Sequence, residues 1–318
     1  MKLVLSPFCV QYGPEIQRLR QELPNDQIIL LGSNDELDRE IADADAYFGW
    51  LPREAYLKSR QLKWVQSPSA GVEWVARVPE LAESGVIVTN TRGAHAQTIA
   101  ESAFAMLLFL TRGIAGSYAE QAKKAWTRPP DGLLRGISGL TMGVVGMGRI
   151  GSAVAQRAHG FDMRVIAVDA HDVPHADYVE RLYPADGLGE VLKASDVVVV
   201  TAPITPVSRG MIGASDLALL KPSAYLIVVS RGGIVDQEAL AKALEEGRLA
   251  GAGVDATDPE PLPPDSPLWT APNVVITPHC SGSSAQTTAL VWSIFEENVH
   301  RFAKGKPLAN MVDKRRGY

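Results

Sequence analysis

Apolar and polar positions alternate along this chain in two successive series. In the first ninety residues, short apolar runs at 2–5, 28–31, 46–49, 62–66 and 86–90 read as strands. Polar segments of helical character, around 15–23, 36–42 and 54–59, separate them. Strand and helix alternating in this way predict a parallel sheet with helices on both faces. A second series begins near residue 141. Strands are predicted at 141–145, 164–168, 197–200, 224–229 and 274–276, and helices at 150–159, 215–220 and 237–247. Four consecutive valines at 197–200 mark a strand covered on both faces. Gly160 is placed to end its helix in left-handed geometry, and Asp236 is placed to cap the start of the helix at 237.

The fold class that follows is α/β, with two doubly wound parallel-sheet domains. A helix near 95–113 connects the two series, and a last helix at 286–304 is expected to return to the first domain. Residues 99–110 are apolar on nearly every face, so this helix is either central core or packed against a second subunit. The stretch is well short of the ~20 residues needed to span a bilayer.

Composition narrows the function. The 318 residues are 46% hydrophobic and 21% charged, with a net charge of −5. No basic face for nucleic acid is evident. Cys9 and Cys280 form no metal-ligand spacing, so no metal site is expected, and reduced thiols are the plainer reading. The N-terminus reads as a short strand stopped by Pro7, without the apolar core of a signal peptide, and a cytoplasmic location is expected.

Gly146-Met147-Gly148-Arg149-Ile150-Gly151 fits G-x-G-x-x-G between a strand and a helix, the setting in which that pattern binds a dinucleotide. Gly146 allows the tight turn, Gly148 lets amides approach a pyrophosphate, and Gly151 lets helix and strand pack closely. The helix start supplies amide donors and a positive dipole end. Asp169 follows the next strand, 18 residues after Gly151, where an acid holds ribose hydroxyls and repels a 2′-phosphate. NAD is therefore expected over NADP. A cation near the 2′ position, from His171 or Arg164, would weaken that preference.

Three later segments carry candidate chemistry: Ser230-Arg231-Gly232-Gly233-Ile234-Val235-Asp236, the run from Gly253 to Pro263, and Thr277-Pro278-His279-Cys280-Ser281-Gly282. Together they place a cation, an acid and an imidazole near strand ends on the cofactor side. Arg231 can grip a carboxylate bidentately. His279 can protonate a carbonyl oxygen as hydride arrives. Glu260 can orient that ring and favour its charged form.

In order and spacing, these motifs resemble the D-isomer-specific 2-hydroxyacid dehydrogenase family over almost the whole chain. The resemblance implies Arg231, Glu260 and His279 as the catalytic set. It implies Asp255 near the nicotinamide carboxamide and Pro203 and Arg149 beside the cofactor. Ile150, Ser230, His279 and Gly282, from the same motifs, join Gly146, Gly148, Gly151 and Asp169 in the expected cofactor set. Ser69, Ala70 and Gly71 match the loop whose amides hold the substrate carboxylate, and Trp50 and Leu51 fall where relatives line the substrate pocket, with Arg231 and His279 also reaching substrate. Pocket size is expected to depend on Trp50, Leu51, Trp126 and Trp292. The family fold implies a Rossmann-type cofactor domain at 93–285 and a flavodoxin-like substrate domain made of 1–92 and 286–318. A homodimer acting on a small 2-keto acid and its D-2-hydroxy acid is expected. The ending from Asn310 to Tyr318 resembles members acting on glyoxylate or hydroxypyruvate. Ala256-Thr257 departs from the aromatic that often follows the family's aspartate, and Glu260 argues against formate dehydrogenase chemistry, which pairs the histidine with glutamine. Two alternatives stay open: a dinucleotide-sensing corepressor-like protein, and an oxyanion dehydrogenase of the phosphite type on the same scaffold.

Overall fold

A computed structural model of the chain describes residues 1–130 and 134–314, so the last four residues of the 310–318 ending lie outside the described residues. The chain divides into two compact units, Met1–His95 with the chain from Ser284 onward, and Ala96–Ser283. Among the described residues, no single helix is long and apolar enough to cross a membrane.

The smaller unit holds five strands: β1 (Lys2–Leu5), β2 (Gln27–Leu30), β3 (Ala46–Phe48), β4 (Trp64–Gln66) and β5 (Ile87–Thr89). All neighbours pair in parallel, in the order β2-β1-β3-β4-β5, which is the flavodoxin-like arrangement. Side chains alternate between faces, as strand geometry requires. Leu3, Leu5, Phe48 and Trp64 pack on one side with Ile16 and Leu19 and with Val291, Trp292, Phe295 and Val299. Those last four come from the helix Ala285–Ala303, which belongs to this unit. Val4, Tyr47 and Val65 face the other way, against Leu37, Ile41, Leu51 and Ala55.

The larger unit holds β6 (Thr141–Val145), β7 (Arg164–Val168), β8 (Val179–Tyr183), β9 (Val197–Val200), β10 (Tyr225–Val228), β11 (Gly251–Val254) and β12 (Val274–Ile276). These also pair in parallel throughout, in the order β12-β11-β10-β9-β6-β7-β8. This is the Rossmann arrangement extended by one strand, and the strand order reverses between β6 and β9. Both domains are thus doubly wound α/β. Helices Ala96–Thr111 and Arg149–Gly160 cover one face, and Leu188–Ala194 and Gln237–Glu245 the other.

Several elements differ from the sequence reading. β8 buries only Val179 among its five residues, so this edge strand carries almost no hydrophobic signal. β11, with the sequence GAGV, was also not anticipated, because glycine and alanine have little strand propensity. Packing explains its composition: a Cβ on Gly253 would lie 2.8 Å from Met106 Cβ and 2.9 Å from its sulfur. The helix Ala96–Thr111 therefore sits directly on β11, and its buried positions, among them Ala100, Ala103, Met106 and Leu107, are core of its own unit. The helix Arg149–Gly160 ends differently from expectation. Gly160 is its last residue, and Asp162, with φ of 57°, takes the left-handed position. The helix read at 215–220 is the single turn Ala214–Leu217.

Overfilling the Gly253 contact tests this account. Gly253→Val should lower unfolding stability by about 1–3 kcal/mol, measured by urea denaturation.

Candidate active site

The glycine turn follows β6 at the point where the strand order reverses, the position at which open parallel sheets bind ligands. Gly146 has φ of +94°, and a Cβ there would meet the Ala202 amide nitrogen at 2.6 Å. The exits of β6 and β9 therefore touch backbone to backbone. A Cβ on Gly151 would lie 2.1 Å from the Gly146 carbonyl oxygen, which locks the following helix against the turn. Gly148 differs: a Cβ there meets nothing within 4 Å, so the mouth of the turn is open. It begins the helix Arg149–Gly160 with no side-chain cap, and Arg149 is exposed while Ile150 is partly buried.

Asp169 directly follows β7. Its carboxylate accepts from the Met147 amide at 2.6 Å and the His171 amide at 2.9 Å, tying the strand end to the glycine turn. Arg164 does not approach it. It stands at the opposite end of β7, five residues away at about 3.3 Å per residue, and pairs with Glu180 at 2.7 Å. Pro203 follows β9, and its carbonyl accepts from the Ser208 hydroxyl at 2.7 Å. Ser230 lies beyond β10, and its buried hydroxyl has no hydrogen-bond partner among the described residues. An open helix start, an acid at the next strand end and an orphaned hydroxyl at a third fit the diphosphate and ribose of a dinucleotide.

The candidate acid and imidazole lie farther along the same edge. His279 Nδ1 lies 3.0 and 2.9 Å from the two oxygens of Glu260. Glu260 Oε1 also accepts from the Thr257 amide at 3.1 Å. The histidine holds φ of 50°, a left-handed conformation uncommon outside glycine. Asp255 secures that conformation from below. Its carboxylate is buried, 2% exposed overall, and accepts from Thr277 Oγ1 at 2.5 Å and from the amides of Cys280 and Ser281 at 3.0 and 3.1 Å. Its carbonyl accepts from the His279 amide at 2.8 Å. Asp255 thus builds the histidine turn, a role that the resemblance did not supply. Gly282 closes that turn, next to Ser281, whose carbonyl accepts from Ser102 Oγ at 3.1 Å. Arg231 directly follows Ser230, and its Nη1 donates to the Ser230 carbonyl at 2.8 Å.

The expected substrate residues of the smaller unit are placed as follows. The loop after β4 has its carbonyls engaged: Asn90 Nδ2 bonds Ala70 at 2.8 Å, Ser69 Oγ bonds Gly71 at 2.7 Å, and the Thr91 amide bonds Ser69 at 3.2 Å. Trp50 is half exposed, with its ring 5.6 Å from Phe8. Leu51 and Trp292 are buried in the core, so their side chains act there as packing, whereas Trp126 in the larger unit is fully exposed.

A family profile described as D-isomer specific 2-hydroxyacid dehydrogenase, NAD binding domain, matches residues 104–281. This chain belongs to that family. It is 37% identical over 283 residues to a glyoxylate reductase of Korarchaeum cryptofilum, covering 86% of this chain and 84% of that one. Among solved structures it is similar to a D-lactate dehydrogenase from Aquifex aeolicus complexed with NAD and lactic acid. That match has a TM-score of 0.83 and 26% identity, over 98% of this chain and 99% of the other. It is equally similar to an NADPH-dependent glyoxylate/hydroxypyruvate reductase from Sinorhizobium meliloti in complex with NADP and sulfate. There the TM-score is 0.84 and the identity 26%, over 100% and 99% of the two chains. The protein is a D-2-hydroxyacid dehydrogenase that uses a nicotinamide dinucleotide.

Sequence reasoning missed Thr257 and Thr277, whose contacts join segments twenty or more residues apart or arise from a loop turn. Asp255 can be tested directly. Asp255→Asn sets an amide group among donors that a carboxylate satisfies, so it should cost about 1–3 kcal/mol of stability, read as a lowered denaturation midpoint.

Proposed function

We propose that this dehydrogenase reduces a small 2-keto acid, glyoxylate or hydroxypyruvate, to its 2-hydroxy acid with NADH. The observation that carries the reading is the Glu260–His279 pair, 2.9 Å apart, on the sheet edge that bears the dinucleotide cradle. A bound nicotinamide supplies the hydride. Arg231 grips the substrate carboxylate with its planar fork and polarises the carbonyl. Because His279 Nδ1 is engaged by Glu260, Nε2 is the atom that delivers a proton to the carbonyl oxygen. Support for NADH comes from Asp169, whose carboxylate at the strand end opposes a 2′-phosphate. Support for a small substrate comes from the relatives named glyoxylate reductase.

Steady-state rates with glyoxylate, hydroxypyruvate, pyruvate, bulkier 2-keto acids and phosphite, each with both cofactors, test this directly. The expected outcome is highest efficiency with a two- or three-carbon keto acid and NADH, and a narrowed cofactor preference in Asp169→Ser. Better use of NADPH by the wild type would remove Asp169 from its role.

The Glu260 carboxylate faces Nδ1 of the ring that donates the proton. Glu260→Gln removes that charge while keeping the shape, so efficiency in reduction should fall in this variant. His279→Ala should lower efficiency by roughly 10²–10⁴-fold. Unchanged efficiency in Glu260→Gln would separate the acid from the histidine.

Assembly as a homodimer completes the proposal, on a different surface from the one that the sequence pointed to. The helix Ala96–Thr111 is engaged within its own unit. The exposed apolar side chains Ile114, Tyr118 and Trp126 lie on and just after the helix Ile114–Ala122, which buries none of its residues. Sedimentation at micromolar concentration should give a dimer mass for the wild type and a smaller mass for Tyr118→Ser with Trp126→Ser.

A further inference from the structure

The carboxylate of Glu260 is useful only while it stays within hydrogen-bond reach of His279, and the loop that carries it is irregular from Ala256 to Asp265. The restraint on that loop comes from another segment. Gln237 donates from Nε2 to the Asp258 carbonyl at 2.5 Å, and its Oε1 accepts from the Asp258 amide at 3.2 Å. One side-chain amide thus makes both bonds that a neighbouring peptide would make to a single residue. Asp258 adjoins Thr257, whose amide holds Glu260 Oε1, and is two residues from Glu260 itself.

Gln237 is itself well anchored. It opens the helix Gln237–Glu245, whose cap Asp236 accepts from the amides of Glu238 and Ala239 at 3.0 Å each. The same turn begins at Arg231, and at Gly232 it presses on the loop: a Cβ there would lie 1.9 Å from the Thr257 carbonyl oxygen. The arginine segment and the glutamate loop therefore touch, and the Gln237 amide fastens the contact. Arg209 also reaches the loop, at 2.9 Å from Asp258 Oδ2, but both side chains are at least half exposed, and such pairs contribute little.

We propose that Gln237 is a positioning residue for the Glu260–His279 pair, acting on the proton relay through the backbone of Asp258. The proposal rests on the reading of His279 as the proton donor. A shift of about 1 Å in Glu260 would carry a 2.9 Å contact out of hydrogen-bond range. The ring would then lose both its orientation and its counter-charge. The other charged or titratable groups around the histidine are fixed by different means. Asp255 is bound to Thr277, Cys280 and Ser281, Asp258 is paired with Arg209, Cys280 is the next residue in the chain, and Arg231 lies on the adjoining turn.

The test is the proton NMR spectrum of the His279 ring at one fixed pH, assigned through its loss in His279→Gln. It is run on wild type, Gln237→Leu, Glu260→Gln and the double variant, each with its thermal midpoint. Gln237→Leu should shift the ring resonances in the same direction as Glu260→Gln, and by less. In the Glu260→Gln background it should add nothing, because the two changes act through one contact. Unmoved ring resonances in Gln237→Leu, or the same shift in both backgrounds, would overturn the proposal. If Gln237→Leu does not fold, Gln237→Asn, too short to make both bonds, decides by the same criterion. The spectrum needs no substrate, so failure of every 2-keto acid as a substrate would count against the functional reading alone.

Discussion

Parallel pairing is the constraint on which this protein depends. Parallel strands cannot be joined by tight hairpins, so each returns through a crossover and leaves its carboxyl end on the same edge. In the larger unit, that edge receives the exits of β6, β7, β9, β10, β11 and β12. The glycine turn, Asp169, Pro203, Ser230 with Arg231, Asp255 and His279 are what follow those six strands. Residues more than a hundred positions apart share one edge because, among the described residues, every strand of this sheet runs the same way.

Buried hydrogen bonding turns that edge into a site. The Asp255 carboxylate satisfies a hydroxyl and two amides in the histidine turn, and its carbonyl satisfies a third amide. A buried carboxylate left unpaired would be strongly disfavoured, so these bonds hold the turn as one arrangement. The left-handed backbone of His279 is kept in the same way. Glu260 has a different status: it and the histidine ring are each 40% exposed on their side chains. The structure thus separates a buried acid that shapes the loop from an accessible acid that faces the ring.

Close backbone approach is the second recurring device. Gly146 against Ala202, Gly232 against Thr257 and Gly253 against Met106 each join segments that a methyl group would push apart. The first sets the cofactor cradle, the second brings the arginine turn to the glutamate loop, and the third seats the central helix on the sheet.

Much of the architecture was legible in the sequence. The valine run at 197–200, the apolar run at 141–145 and the glycine turn after it have local signatures, since burial on both faces needs apolar residues and a tight turn needs glycine. Arg231, Glu260 and His279 were legible as a cation, an acid and an imidazole near strand ends, and the structure sets the last two 2.9 Å apart. β8 and β11 were not, because one is a polar edge and the other owes its small residues to Met106, 147 positions earlier in the chain. Nor were the bonds of Gln237 to Asp258 and of Asp255 to the histidine turn. A glutamine at a helix start looks like any solvated residue until the fold brings a loop 21 residues away against it. Sequence determined which chemical groups are present and which strands carry them, because hydrophobic period and turn chemistry are local. Tertiary structure alone decided which of those groups face one another, because hydrogen-bond distances between remote segments exist only after the sheet has assembled.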